Sequence, residues 1–345
     1  MARLAGVLGR IALVWSALAL PAGAADLTLR FGCINAKGTV SYDDLLEPFA
    51  RALEAKSDGR LAVDLQPMGG FGKPVELYSM VESGKLEIAA TVQSYNPGRF
   101  PRTSVMELPL LFDTAETGSE MFWKLFQEGL LGPEYDAVKV LALYVAPPFG
   151  LFAGPDTKVE SLRDLRGLRL RTPGLTIGLA LSRIGVIPIG LPVNMIGPML
   201  KDKMIDGMAF GWDVAYTTST VGGTMMIDQV AYLVDANLAA PALMIVMNKQ
   251  VYEALPAELR AVVDAESGHA LVLKSARLRD ASENKAKQRA AQSTAHHVVK
   301  LSDAERGELQ RRIAPVYDEW SAEMKRDGID GAALLARARA LAAHS

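Results

Sequence analysis

Apolar and polar residues alternate over residues 27–32 (Leu-Thr-Leu-Arg-Phe-Gly), the period-two pattern of a half-buried strand ending at glycine. Residues 43–56 then place Leu45, Leu46, Phe49, Ala50 and Leu53 on one helical face. Alternation returns at 60–66, with Leu61, Val63 and Leu65 on one side. Residues 67–72 read as a loop, 75–83 as a short helix stopped by Gly84, and 86–92 as another strand. This strand-helix order predicts an α/β fold with a parallel sheet and crossover helices. The middle of the chain repeats the scheme. A helix is expected over 115–129, carrying Met121, Phe122, Leu125 and Phe126, and a strand over 138–145 before the loop 146–150. Strand 168–172 ends at Pro173-Gly174, and short helices follow at 177–184 and 195–201. Residues 205–210 lead into Gly211-Trp212-Asp213, and 242–247 form an apolar strand.

The last third changes character. Between Pro256 and Ala291 the only glycine is Gly268, and Leu259, Val262, Val263, Leu271, Leu273 and Leu278 recur at helical spacing. About 35 residues at ~1.5 Å each make roughly 50 Å of helix, long enough to brace two lobes. Ser302 with Glu305 forms a capping box that opens a helix through about residue 325.

Composition and the N-terminus narrow the setting. Arg3 and Arg10 precede the apolar run 11–20, Pro21 breaks it, and Ala22-Gly23-Ala24 supplies small residues for cleavage. That is the grammar of a secretory signal peptide, 1–24. Ten apolar residues are about half the ~20 needed to cross a bilayer. A periplasmic protein, with no direct membrane insertion, is therefore expected. The segment before Cys33 lacks the small apolar run of a lipid-anchoring site. The formal net charge is −2, and removing Arg3 and Arg10 takes it to about −4, so no basic field is present to hold nucleic acid. One cysteine excludes an internal disulfide, and about 320 residues beyond the leader suggest two domains.

Enzyme motifs are absent: no GxSxG elbow, no P-loop, no HExxH and no GxGxxG after a strand. His269, His296, His297 and His344 lie in or beyond the long helix. The adjacent pair His296-His297 would diverge on a helix, so no metal is expected. Cys33 reads as a buried small residue, and Asp43, Asp44 and Glu47 as helix-start charge. No enzyme activity and no cofactor follow from these residues.

Five segments then fall in register: 162–173 (LRDLRGLRLRTP), 180–188 (ALSRIGVIP) with Leu191-Pro192-Val193, Lys203 to Gly207 (KMIDG), Met247-Asn248-Lys249 with Leu255-Pro256, and 95–101 (YNPGRFP) with Glu107-Leu108-Pro109. Together they resemble the substrate-binding proteins of TRAP transporters, the tripartite ATP-independent periplasmic systems (DctP-like family), over nearly the whole mature chain. The resemblance implies a two-lobed binding protein with a ligand cleft and a bracing helix, an organic-acid ligand, and TRAP permease membrane subunits as partner. It also implies that Arg171, in the strand before Thr-Pro, bonds the ligand carboxylate.

Physical chemistry agrees with that role. A guanidinium grips a carboxylate through two parallel hydrogen bonds, and the carboxyl end of a strand points into the crevice of an open α/β sheet. Arg169, on the same side of the strand, is expected at the surface. Gln93 and Tyr95 after a strand, Phe71 in the preceding loop, and Phe210, Trp212 and Asp213 after another strand are the further cleft candidates, with Phe149. Leu151 stands where some family members carry a second arginine. A monocarboxylate with a hydrophobic or aromatic body is therefore expected. The expected lobes are 26–147 with about 236–256, and 148–235 with about 290–345, spanned by a helix over 257–290. An ABC-type or sensory binding protein of similar fold is the alternative, and a secreted enzyme a more distant one.

Overall fold

The computed structural model describes residues 25–219 and 223–343; the leader read at 1–24 and His344 lie outside them. The described strands are β1 (Leu27–Cys33), β2 (Leu61–Gln66), β3 (Ile88–Val92), β4 (Val138–Val145), β5 (Gly150–Ala153), β6 (Arg169–Thr172), β7 (Ile187–Gly190), β8 (Gly207–Phe210), β9 (Tyr232–Val234), β10 (Ala242–Asn248) and β11 (His297–Val299). One sheet has the order β2-β1-β3-β10-β4, the other β11-β9-β5-β8-β6-β7.

The expected parallel pairing holds for β1 with β2 and β3, and for β6 with β7 and β8. Strand β10 departs from it, running antiparallel to both β3 and β4. It enters from the second sheet through an extended segment, not over a crossover helix, so the rule for crossovers does not apply. Sequence pattern does not reveal β5, which is buried at every residue, or β9 and β11, which span three residues each. Strand β7 carries Pro188, tolerated there because β7 is an edge.

Two extended segments cross between the sheets and are bonded to each other. Ala146 N–H donates to Pro241 O at 3.2 Å, Phe149 N–H to Ala239 O at 2.8 Å, and Leu238 N–H to Phe149 O at 3.1 Å.

The bracing helix is real but interrupted. Helix Ala257–Glu266 stops at Ser267, and Gly268 takes φ +74°, a left-handed conformation that costs glycine nothing. The Gly268 N–H there donates to Leu141 O of β4 at 2.7 Å. The second piece, His269–Gln292, has 24 residues, about 36 Å, and packs on helix Ala115–Gln127 and β4 as well as on helix Trp212–Thr217 and β11. It thus touches elements around both sheets.

Three further expectations shift. The helix opened by the Ser302–Glu305 capping box ends at Ile313, and a second, Pro315–Arg326, begins at a proline whose missing N–H is harmless in the first turn. Helix Gly331–Ala342 packs on Ala115–Gln127, on the first sheet's side, although 290–345 was assigned to the second lobe. His296 lies beyond the long helix, bonding Ser293 and Ile227 O, and His297 opens β11 and stacks on Tyr232 at 5.1 Å. Cys33 is buried, its thiol pushed up to about 12 by burial.

Candidate functional site

Between the sheets lies a cavity of about 60 Å³, several times the ~10–15 Å³ that one water requires. Its floor is the double strap, through Ala146, Phe149 and Pro241. Val92 and Leu243 supply one wall, Phe210 and Val193 another.

Arg171 enters from the carboxyl end of β6. The alternation of Leu170 into the core and Arg171 out of it sets this direction. The side chain is 2% exposed, yet its recorded partners are neutral. Its Nε donates to Leu191 O at 2.9 Å, Nη2 donates to Tyr95 OH at 3.2 Å, and the guanidinium sits 5.6 Å from the Phe210 ring centre. Burial pushes its pKa down, but a guanidinium stays charged in proteins. Arg169 behaves differently. It forms a forked, half-exposed pair with Asp206, at 2.6 and 3.0 Å.

Tyr95 belongs to the first sheet's side, in the short turn Gln93–Tyr95 after β3. Its hydroxyl oxygen accepts from Arg171 Nη2 and from Val193 N–H at 3.0 Å, so it ties the two sides together. Both bonds use lone pairs, which leaves the tyrosine's own O–H free to donate. An anion placed here would meet the remaining Arg171 donors and that proton.

The structure brings Arg171, Tyr95, Phe149 and Phe210 together around the cavity. Four other candidates stand elsewhere. Gln93 is buried against Tyr135, donating to its hydroxyl at 3.1 Å, because the tight turn sends residues 93 and 95 to opposite sides. Phe71 is half-buried over the first sheet's core. Trp212 is 1% exposed and packs edge-on against Phe152, with centroids 5.1 Å apart. Asp213 is buried beside the long helix, where its N–H donates to Glu283 at 3.0 Å. Leu151 is fully buried in β5.

Among the cavity residues not anticipated from the sequence, one is charged. Arg279 of helix His269–Gln292 is 4% exposed and lines the cavity. The structure buries Val272, Ser275, Ala276, Arg279, Glu283, Ala286 and Ala290 as one stripe, whereas the sequence marks the face of Leu273 and Leu278. Two charged residues on a buried stripe are worth asking about.

A buried carboxyl lies at the seam. Glu107 ends the turn Thr103–Glu107, accepts from Ala242 N–H at 3.3 Å, and is pushed up to about 7 by burial. Opposite it, a Cβ on Gly174 would stand 2.4 Å from Ser94 Cβ, so only glycine lets helix Leu175–Arg183 start this close. Unfolded, Glu107 would ionise near 4.5; folded, it holds its proton to about 7. Unfolding between those values releases a proton, so this group makes stability fall as pH rises from about 4.5 to 7. Glu107→Gln should therefore gain ~1–3 kcal/mol at pH 8 and almost nothing at pH 4. Urea melts at the two pH values check this; an equal change at both would refute it.

Residues 31–323 match the family model for bacterial extracellular solute-binding proteins, family 7. The chain belongs to this family. Its members include TRAP solute receptors, and the fold agrees with solved examples. A marine-metagenome TRAP solute-binding protein specific for aromatic acid ligands, in complex with metahydroxyphenylacetate, is 27% identical with TM-score 0.85, over 92% of this chain and 99% of that one. A TRAP solute-binding protein from Rhodoferax ferrireducens, in complex with copurified benzoate, is 30% identical with TM-score 0.84, over 92% and 98%. The outer membrane transporter protein TsaT of Comamonas testosteroni is 24% identical over 95% of each chain. This family 7 chain is thus a TRAP-type solute-binding protein. No described helix is long and apolar enough to cross a membrane.

Proposed function

We propose that this receptor captures an aromatic monocarboxylate and presents it, chemically unchanged, to the membrane subunits of a TRAP permease. The observation that carries the reading is Arg171: a buried cation facing the cavity with no carboxylate among its recorded partners. A charge buried without a counter-charge costs several kcal/mol, and an incoming carboxylate offsets that cost. The Tyr95 O–H completes the grip. Phe149 and Phe210, with centroids 6.1 Å apart, and the aliphatic Val92 and Leu243 suit an aromatic body. The other cavity cation, Arg279, already has Asp213 as an ion-pair partner at 4.0 Å. One net positive charge favours one carboxylate. The aromatic acids bound by two of the solved relatives support the same class.

Titration calorimetry with benzoate and with succinate tests this. Benzoate should bind more tightly, and at ~100 times its Kd it should add about 2.7 kcal/mol of stability. Tighter succinate binding would sink the aromatic reading. Benzoate recovered with altered mass would contradict delivery without chemistry. We further propose a periplasmic mature chain beginning near Ala25. Intact mass of periplasmic material should show loss of the 24-residue leader, and full-length chain there would refute it.

A further inference from the structure

We propose that Arg279 is a second ligand contact that hydrogen-bonds an uncharged oxygen on the aromatic body, so that the preferred ligand is a hydroxylated aromatic acid. This rests on the aromatic-acid reading above and specifies its ligand further.

Arg279 carries five N–H donors and satisfies few of them. Nη1 donates to Ser41 Oγ at 2.6 Å. Nη2 stands 4.0 Å from Asp213 Oδ1, beyond hydrogen-bond range, and buried Nε has no partner among the described residues. An unpaired buried donor costs ~1–3 kcal/mol, so a ligand oxygen that accepts from the cavity side of this under-satisfied guanidinium gains binding energy a plain ring cannot reach. The surroundings favour such an oxygen. Asn35, Thr39 and Thr218 line the cavity together with Arg279, whereas Arg171 and Arg279 enter from different elements and share no bonded partner.

Local charge selects a hydroxyl over a second carboxylate. Asp213, 3% exposed, balances Arg279, and Glu283 lies on the next turn of the helix. Burial, together with the Asp213 charge, pushes the Glu283 carboxyl well above the usual carboxylate range, which favours its neutral form. Arg279 and Asp213 thus sum to no net charge. A second carboxylate would add negative charge beside Asp213 without a counter-charge, while a hydroxyl only accepts the idle donor.

Calorimetry on the full mature chain, using size-matched pairs, tests this. Hydroxyl and methyl groups are close in volume, and in an apolar wall the methyl wins. The better of 3- and 4-hydroxybenzoate should bind roughly 10- to 100-fold tighter than the corresponding methylbenzoate, the range expected of a charge-assisted hydrogen bond. Isophthalate should bind more weakly than 3-hydroxybenzoate. In Arg279→Met the hydroxyl-to-methyl ratio should fall to near or below one. Should that variant not fold, Arg279→Met with Asp213→Asn removes both charges together and carries the same expectation. Methylbenzoates binding as tightly as both hydroxybenzoates would overturn the proposal, and so would an Arg279→Met protein that keeps the ratio. Tighter isophthalate binding would overturn the uncharged-oxygen assignment. If no aromatic acid binds, the functional reading falls and this inference with it; if all bind without discrimination, only the inference falls.

Discussion

Arg171→Ala should lower affinity for the aromatic carboxylate by about 30-fold to several thousand-fold, the ~2–5 kcal/mol typical of removing one partner from a buried charge pair. The ligand carboxylate would then be buried with Tyr95 O–H alone, and a single neutral donor does not replace a charged fork. Stability of the ligand-free protein should respond far less. The substitution loses the bonds to Leu191 O and Tyr95, but it also removes a buried charge whose burial was itself costly. Arg169→Ala is the matched control. It breaks the pair with half-exposed Asp206 and leaves the cavity wall intact. Calorimetry and melting curves on both variants decide the matter. Equal loss of binding in the two would show that both arginines act through the shape of β6, not through contact with ligand.

Trp212→Ala should show the opposite pattern, with a large loss of stability and a modest change in affinity. The indole is 1% exposed, lies edge-on against Phe152, and packs with Met208, Ile196 and Leu233 in the second sheet's core. Truncating a buried tryptophan to alanine commonly costs ~3–5 kcal/mol, through lost burial and the cavity left behind. Urea denaturation should reveal that loss. Affinity measured at low temperature, where the variant remains folded, should change by less than about tenfold, since Trp212 does not line the cavity. A near-normal denaturation midpoint combined with lost binding would return Trp212 to the ligand site.

These two side chains mark how far the site was legible. Arg171 lies in a regular strand, where alternation decides direction: Leu170 goes to the core and Arg171 to the opposite face. Trp212 is the first residue of helix Trp212–Thr217, immediately after β8 and Gly211. There the strand's alternation has ended and the helix's period has barely begun. Local pattern no longer specifies a face. The same holds for Gln93 and Tyr95, two residues apart in a tight turn that sends one to Tyr135 and the other to Arg171.

The amino-acid sequence by itself determined the α/β class, the longer strands and helices, and the family. These follow from hydrophobic periodicity, capping residues and motifs, all local properties of a chain. Only the tertiary structure decided that β10 runs antiparallel between β3 and β4, and that the last helix returns to the first sheet's side. It also decided that the bracing helix yields at Gly268 to meet Leu141, and that Arg279 reaches the same cavity as Arg171. Periodicity states which face of an element is buried and leaves open what that face meets. Arg279 lies off the face that Leu273 and Leu278 mark in the sequence, and its stripe is buried and reaches the cavity because of how the long helix docks across both sheets.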